Sequence, residues 1–308
     1  MVDAPGAALQ ALLERLGAEG YRFTAITPST HQRVLSRALA GRPSLRDVFG
    51  WSRPFAAGDL DPSSLALLEG GGALERDGDT LRSAVRVASA GGRLFLHSAF
   101  PTTADDAVFF GPDTYRYLRL IERFVPALGP LRRIVDMGAG SGAGGIHAAA
   151  LRPGARVTLV DINPAALRLA RINAAVAGID AECVLGSRIA AVEGAIDLLI
   201  ANPPYMIDPE RRAYRDGGGL LGGEIALNWV EEALGRLEPG GSVLLYTGAA
   251  VVEGRMPLAE ALEQLCSDRQ ARMQFEEIDP DVFGEELDGE PYRNVERIAA
   301  IGALITAA

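Results

Sequence analysis

From Arg132 onward, short apolar runs rich in Ile, Val and Leu alternate with stretches of helical length: RRIVDMG, ARVTLVDIN, AECVLGS, IDLLIANPP, GSVLLYTG and ERIAAIGALIT. Fully apolar runs of this size are strands buried on both faces, and helices between them are the crossovers that parallel pairing requires. The pattern predicts an α/β chain built on a doubly wound, Rossmann-like sheet. PAALRLARINAAVAG, opened by Asn163-Pro164 and closed at Gly178, is a well-marked crossover helix, and EIALNWVEEALGRL is a second. Between the last two runs the linker DPDVFGEELDGEPYRN carries no helix signal and is expected to close an antiparallel hairpin.

Residues 1–105 have a different texture and are expected to form a separate N-terminal, substrate-recognition domain, with 106–308 the catalytic one. The segment SLALLEGGGALERDGDTLRSAVRVASAGGRLFLHSAF reads as a helix, an acidic glycine turn and a pair of strands. With the helices before it, this suggests a small α+β module of winged-helix type. Arg33, Arg37, Arg42, Arg46 and Arg53 stand at spacings near four, which predicts a shared helix face.

The net charge of −10 lies wholly in residues 131–308, and no lysine is present. Such a surface repels phosphate backbones and disfavours tight nonspecific nucleic-acid binding. No apolar run approaches the ~20 residues of a membrane span. The opening MVDAPGAALQALLERLG has no basic-then-apolar export pattern, so an amphipathic helix of a cytoplasmic protein is expected. The two cysteines are too few for a disulfide framework or a zinc site, and Cys183 reads as a core thiol. No metal is expected.

Val135-Asp136-Met137-Gly138-Ala139-Gly140-Ser141-Gly142 follows the first strand and opens a helix. Its glycines allow a sharp turn and close approach of a ligand, and the helix start offers free N–H groups. Taken alone, the loop also satisfies a dinucleotide fingerprint, leaving an NAD(P)-dependent oxidoreductase as an alternative. The next strand ends in Asp161-Ile162-Asn163, where a carboxylate can accept from two ribose hydroxyls. Asp136 at the strand end favours a cationic ligand, S-adenosylmethionine, over a pyrophosphate. His147, on the helix after the loop, reads as a packing residue.

After the fourth run comes Asn202-Pro203-Pro204-Tyr205. Two prolines stiffen the backbone and leave its carbonyls as acceptors. The Asn202 amide oxygen and the Pro203 carbonyl can then hold the two N–H groups of one planar –NH2, aiming its lone pair at an incoming methyl carbon. Tyr205 offers a flat face for a base ring or amide plane.

With these motifs in place, residues 106–308 resemble the class I methyltransferases of the HemK and "methyltransferase small" group. The resemblance implies a seven-stranded sheet of order 3-2-1-4-5-7-6 and S-adenosylmethionine as cofactor. It implies that Asp136, Gly138, Gly140 and Gly142 form the cofactor loop, that Asp161 is the ribose acid and that Asn202 to Tyr205 is the catalytic motif. Gly186-Ser187 falls where the family contacts adenine, although many members carry an acid at Ser187 or Arg188. Phe110-Gly111-Pro112-Asp113-Thr114 stands where glutamine methyltransferases carry a Pro-Arg-Pro-acid-Thr segment over the cofactor, so Pro112 and Thr114 join the expected cofactor set; the Arg is not matched. The implied substrate is RNA or a translation-related protein, methylated on an exocyclic amine or a glutamine amide, with a small-molecule acceptor as an alternative.

Overall fold

A computed structural model describes residues 3–38, 41–208, 212 and 214–308. The front part holds helices α1 (Ala4–Ala18), α2 (Pro28–Leu35), α3 (Leu45–Phe49) and α4 (Pro62–Gly70). Strands β1 (Leu74–Asp77), β2 (Thr80–Ser83), β3 (Val85–Ala90) and β4 (Arg93–Ser98) follow. They form two separate hairpins, β1–β2 and β3–β4, where the sequence suggested one pair.

Helix α5 (Pro112–Phe124) leads into β5 (Arg133–Met137), α6 (Ala143–Leu151), β6 (Arg156–Asp161), α7 (Pro164–Val176), β7 (Ala181–Leu185) and β8 (Ile196–Ala201). The chain ends with α8 (Glu224–Leu234), β9 (Leu237–Val251), α9 (Pro257–Asp268), β10 (Arg272–Asp279) and β11 (Arg297–Thr306). The seven strands line up as β10-β11-β9-β8-β5-β6-β7. Counted from β5, this is the order 3-2-1-4-5-7-6 of the class I methyltransferase sheet. Strands β5 to β9 pair in parallel, and β11 runs antiparallel to both β9 and β10. Among the described residues, no helix is long and apolar enough to cross a membrane.

The C-terminal end departs from the expected direct hairpin between the last two apolar runs. GSVLLYTG and ERIAAIGALIT do lie side by side, as β9 and β11, but α9 and β10 come between them. Helix α9 carried its own signal, with Pro257 in the first turn and Leu258, Leu262 and Cys266 buried one turn apart. Strand β10, RMQFEEID, is the outermost strand and keeps charged and polar side chains on an exposed face, so it lacks the apolar run that marks a central strand. Cys183 lies on the opposite edge strand, β7, and is only half-buried for that reason; Cys266 is the core thiol.

The five arginines do not share a helix. Arg33 is on α2 and Arg46 on α3, and the turn between carries Gly41 at φ +84° and Pro43 before Ser44 caps α3. Arg53 folds back onto the carbonyls of Val34 and Arg37, and Arg42 pairs with Asp59.

Helix α7 is capped as its sequence suggests: Asn163 Oδ1 accepts from the Ala165 amide at 2.9 Å, Pro164 opens the first turn and Gly178 turns out at φ +68°. Its outer face carries Ala166, Leu169 and Ile172 into one core with Leu9, Leu12, Leu13 and Leu16 of α1 and Val87, Leu94 and Leu96 of the β3–β4 hairpin. At the centre of this seam is Asn173, 1 % exposed. Its amide accepts from the Leu96 N–H at 2.8 Å and donates to the Leu96 carbonyl at 3.0 Å and the Ser141 carbonyl at 2.9 Å. One side chain thus acts as a strand neighbour for β4 and as a brace for the glycine loop.

Asn173→Ala strands these buried backbone groups, and each lost partner costs on the order of 1 kcal/mol or more. The expected loss of unfolding free energy is about 2–4 kcal/mol, read by urea denaturation. A variant as stable as the wild type contradicts the bracing role.

Candidate active site

The parallel strands all point their C-terminal ends to one edge of the sheet, where an open α/β sheet leaves a crevice. A cavity of about 1040 Å³ occupies this edge. Its wall includes Gly138, Ala139, Gly140 and Ser141 after β5, Asp161, Ile162 and Asn163 after β6, and Gly186 and Ser187 after β7. Asn202, Pro203, Pro204 and Tyr205 after β8 and Thr114 of α5 complete the expected set. Asp136, Gly142 and Pro112 do not reach the wall.

The glycine loop owes its path to Gly138 (φ +70°), Gly140 (φ +53°) and Gly142 (φ +78°), all in the left-handed region. Gly142 is the N-cap of α6. Asp161 holds the loop against β6: one carboxylate oxygen accepts from the Gly140 amide at 2.7 Å and the other from the Asn163 amide at 2.8 Å. Each oxygen keeps a further lone pair, so the carboxylate can still accept from two hydroxyls. Burial raises the Asp161 pKa, against the pull of these amides. Asn163 itself is occupied as a cap, with its amide nitrogen donating to the Asp106 carbonyl at 2.8 Å.

Asp136 does not face the cavity directly, as its position suggested it would. It is 1 % exposed and lies behind the wall. Its Oδ2 accepts from the Gly145 amide in the first turn of α6 at 2.6 Å, and its Oδ1 accepts from the Tyr117 hydroxyl at 3.3 Å. Gly145 lets the helix come this close, since a Cβ there would lie 3.1 Å from Asp136 Cβ and closer still to Leu159. The expected direct attraction between Asp136 and a cationic ligand is therefore not built into the wall. Burial dominates and pushes its pKa up to about 7.

The Asn202–Tyr205 segment is fixed from α5. Asp113, 2 % exposed, accepts from the Tyr205 hydroxyl at 2.7 Å and the Tyr246 hydroxyl at 2.6 Å. Arg116 donates to the same carboxylate at 3.2 Å and to Asp279 at 2.7 Å. Burial, then the Asp113 charge, raises the pKa of both phenols, which stay protonated donors. The Tyr205 ring packs on the backbone of Gly248 and meets Phe283 edge to face at 5.9 Å. With its aromatic neighbour pinned, Asn202 stands half-buried on the cavity wall, and its side chain makes no hydrogen bond among the described residues. An amide left unpartnered at a cavity is available to a ligand.

Sequence reading missed Asp113 as the anchor of Tyr205, and missed Tyr117, Trp229, Phe109 and Phe283 as wall residues. Asp113 was in view within the Phe110–Thr114 segment, but its partners lie 92 and 133 residues further on. His147, read as a packing residue, is 5 % exposed with Nε2 3.0 Å from a Glu122 oxygen.

The Asp136 carboxyl gives a pH test. Its ordinary value is 3.8 and its folded value about 7, so between them the folded chain holds a proton that the unfolded chain has released. The associated stability is present at low pH and is lost as pH rises to about 7. Relative to wild type, Asp136→Asn is expected to gain stability steadily across that window and to level off above it, measured by denaturation at a series of pH values. A difference that does not vary with pH contradicts the buried, proton-holding carboxyl.

The methyltransferase small domain family model matches residues 119–272, half of the chain. The release factor glutamine methyltransferase of Deinococcus radiodurans is 41% identical over 123 residues, covering 37% of this chain and 44% of that one. The enzyme of the same description from Cereibacter sphaeroides is 34% identical over 146 residues, covering 43% and 52%. The match thus spans about half the length of these curated relatives. Among solved structures, the tRNA m1G37 methyltransferase of M. jannaschii aligns with a TM-score of 0.49 at 15% identity, over 73% of this chain and 55% of that one. With the glycine loop, the Asp161 clamp and the Asn202–Tyr205 segment on one cavity of a class I sheet, the chain belongs to the methyltransferase small domain family.

Proposed function

We propose that the protein is an S-adenosylmethionine-dependent N-methyltransferase whose acceptor is a planar nitrogen, the side-chain amide of a protein glutamine. The unpartnered Asn202 amide on the wall of the Asp161 cavity carries this reading. The release factor glutamine methyltransferases among its relatives support the acceptor class. Family membership sets the NAD(P) alternative aside.

The cavity suits the cofactor by its chemistry. Asp161 offers free lone pairs to a ribose diol, and Ile162, 56 % exposed, offers an apolar surface beside it. The volume of about 1040 Å³ leaves space for both a nucleoside and part of an acceptor. Gly138 to Ser141, Asp161, Ile162, Gly186 and Ser187 would hold the cofactor, which when bound supplies an electrophilic methyl group on a sulfonium. Asn202 Oδ1 and the Pro203 carbonyl accept the two N–H groups of the acceptor amide and orient its lone pair. Tyr205, fixed through Asp113, supplies a rigid aromatic wall beside them. The chain's part is positioning, so its contribution appears in turnover more than in cofactor affinity. Asp105 lines the same cavity, and Tyr214 on its wall donates its hydroxyl to the Thr102 carbonyl at 3.2 Å; we assign residues 1–105 to presenting the substrate, a translation-related protein.

Transfer of labelled methyl from S-adenosylmethionine into a lysate of cells lacking this enzyme tests the reading. Label is expected in protein, released by protease and recovered after digestion as N-methylglutamine. Label removed by ribonuclease instead makes the acceptor an RNA base and overturns the glutamine assignment. Asn202→Ala is expected to lower turnover by about 2–4 kcal/mol of transition-state stabilisation with S-adenosylhomocysteine affinity unchanged. Full turnover in that variant removes Asn202 from the mechanism.

A further inference from the structure

Helix α8 packs on the sheet through Ala226, Val230 and Ala233, which repeat at helical spacing and are buried. Trp229 is offset from that face. It packs against the edge of the same core but stays half-buried and lines the cavity, so the core covers only part of it.

Two contacts fix the indole. Its Nε1 donates to the Ser187 carbonyl at 3.3 Å. Its outer ring edge leans on the glycine loop, where a Cβ at Gly138 would lie 2.8 Å from Cη2 and 3.1 Å from Cζ3. One side chain therefore touches the loop after β5 and the loop after β7. The same two loops also meet at Asp161, where the Gly140 amide donates to the carboxylate and the Gly186 amide to the main-chain carbonyl at 3.0 Å.

This end of the cavity has a definite chemical character. Ile162 follows Asp161, the Gly186 amide donates to the Asp161 carbonyl and the Trp229 indole donates to the Ser187 carbonyl, so a base attached to a ribose on Asp161 has this stretch of wall beside it. Ile162 is among the few large apolar side chains left exposed in the protein, and the uncovered part of Trp229 belongs to the same wall. Exposed apolar surface beside a polar anchor suits a ligand with a flat, weakly polar ring next to hydroxyls. An indole adds a π-face that an aliphatic wall lacks.

We propose that Trp229 is a binding residue for the purine ring of the methyl donor, held in place by Ser187 and the Gly138 turn. This rests on the reading that the cavity takes S-adenosylmethionine, and it assigns the base to a residue outside the glycine loop, the Asp161 segment and the Asn202 motif.

The chain contains two tryptophans. The other, Trp51, packs against Phe23 at 5.0 Å and His31 at 5.1 Å in the front part, so Trp51→Phe leaves Trp229 as the sole indole. Titration of that variant with adenosine, and separately with S-adenosylhomocysteine, is expected to change its fluorescence saturably. The same titrations of Trp229→Phe, in which Trp51 is the only indole, are expected to leave emission unchanged. By calorimetry, Trp229→Ala should bind both ligands about 10-fold or more weakly than wild type, the scale of losing one base–aromatic stack, with Trp229→Phe in between. The proposal is overturned if Trp229→Ala, folded by circular dichroism and melting, binds both ligands as tightly as wild type. A flat emission from Trp51→Phe at saturating S-adenosylhomocysteine also overturns it, and does not depend on the alanine variant folding. Failure of the wild type itself to bind S-adenosylhomocysteine would instead refute the cofactor reading, and this proposal with it.

Discussion

A single buried carboxylate, Asp113, ties the Asn202–Tyr205 end of the cavity together. It accepts from two phenols and a guanidinium that come from the end of β8, from β9 and from α5 itself. A charged group with so little water around it persists only when its oxygens are fully engaged, and here each is held by at least one short hydrogen bond. The bond to Tyr205 fixes the position of a rigid dipeptide, Pro203-Pro204, whose backbone cannot relax to compensate. Through Arg116 and Asp279 the same anchor reaches β10 at the edge of the sheet. The placement of Asn202 thus follows from a helix that begins before the sheet does.

The glycine-loop end of the cavity depends on a second carboxylate working differently. Asp161 uses only part of its accepting capacity on the Gly140 and Asn163 amides, so it shapes the glycine loop and remains open to a ligand. The loop is braced from behind by Asn173, which also secures the front hairpin through Leu96. The front part and the glycine loop therefore share a buried side chain. The core of the front part is built mostly from its own residues, and α1 and the β3–β4 hairpin extend it onto Ala166, Leu169 and Ile172 of α7.

Much of this was legible in the sequence because it depends on local signals. Apolar runs marked every interior strand, Asn163-Pro164 and Gly178 marked α7, and the glycine loop, Asp161 and Asn202–Tyr205 appeared at the strand ends where the fold brings them together. Strand β10 was not legible because an edge strand with an exposed face has no continuous apolar run. Asp136 was assigned by charge alone, and only the close approach of α6 at Gly145 reveals that it faces inward. The arginine series failed because spacing near four implies a helix face only where no Gly or Pro breaks the chain, and Gly41 and Pro43 do so. The link from Asp113 to Tyr205 and Tyr246, and that from Trp229 to Gly138 and Ser187, join residues far apart in sequence, and no local pattern announces them.

The central claim is that the crevice beyond β5 and β6 binds S-adenosylmethionine through Asp161. Its most direct test is calorimetric titration of wild type and Asp161→Ala with S-adenosylmethionine and, as a control, NADH. The account predicts saturable one-site binding of S-adenosylmethionine to the wild type, marked weakening in Asp161→Ala, and no binding of NADH. Equal affinity of the two proteins for S-adenosylmethionine, or tight binding of NADH, would contradict it.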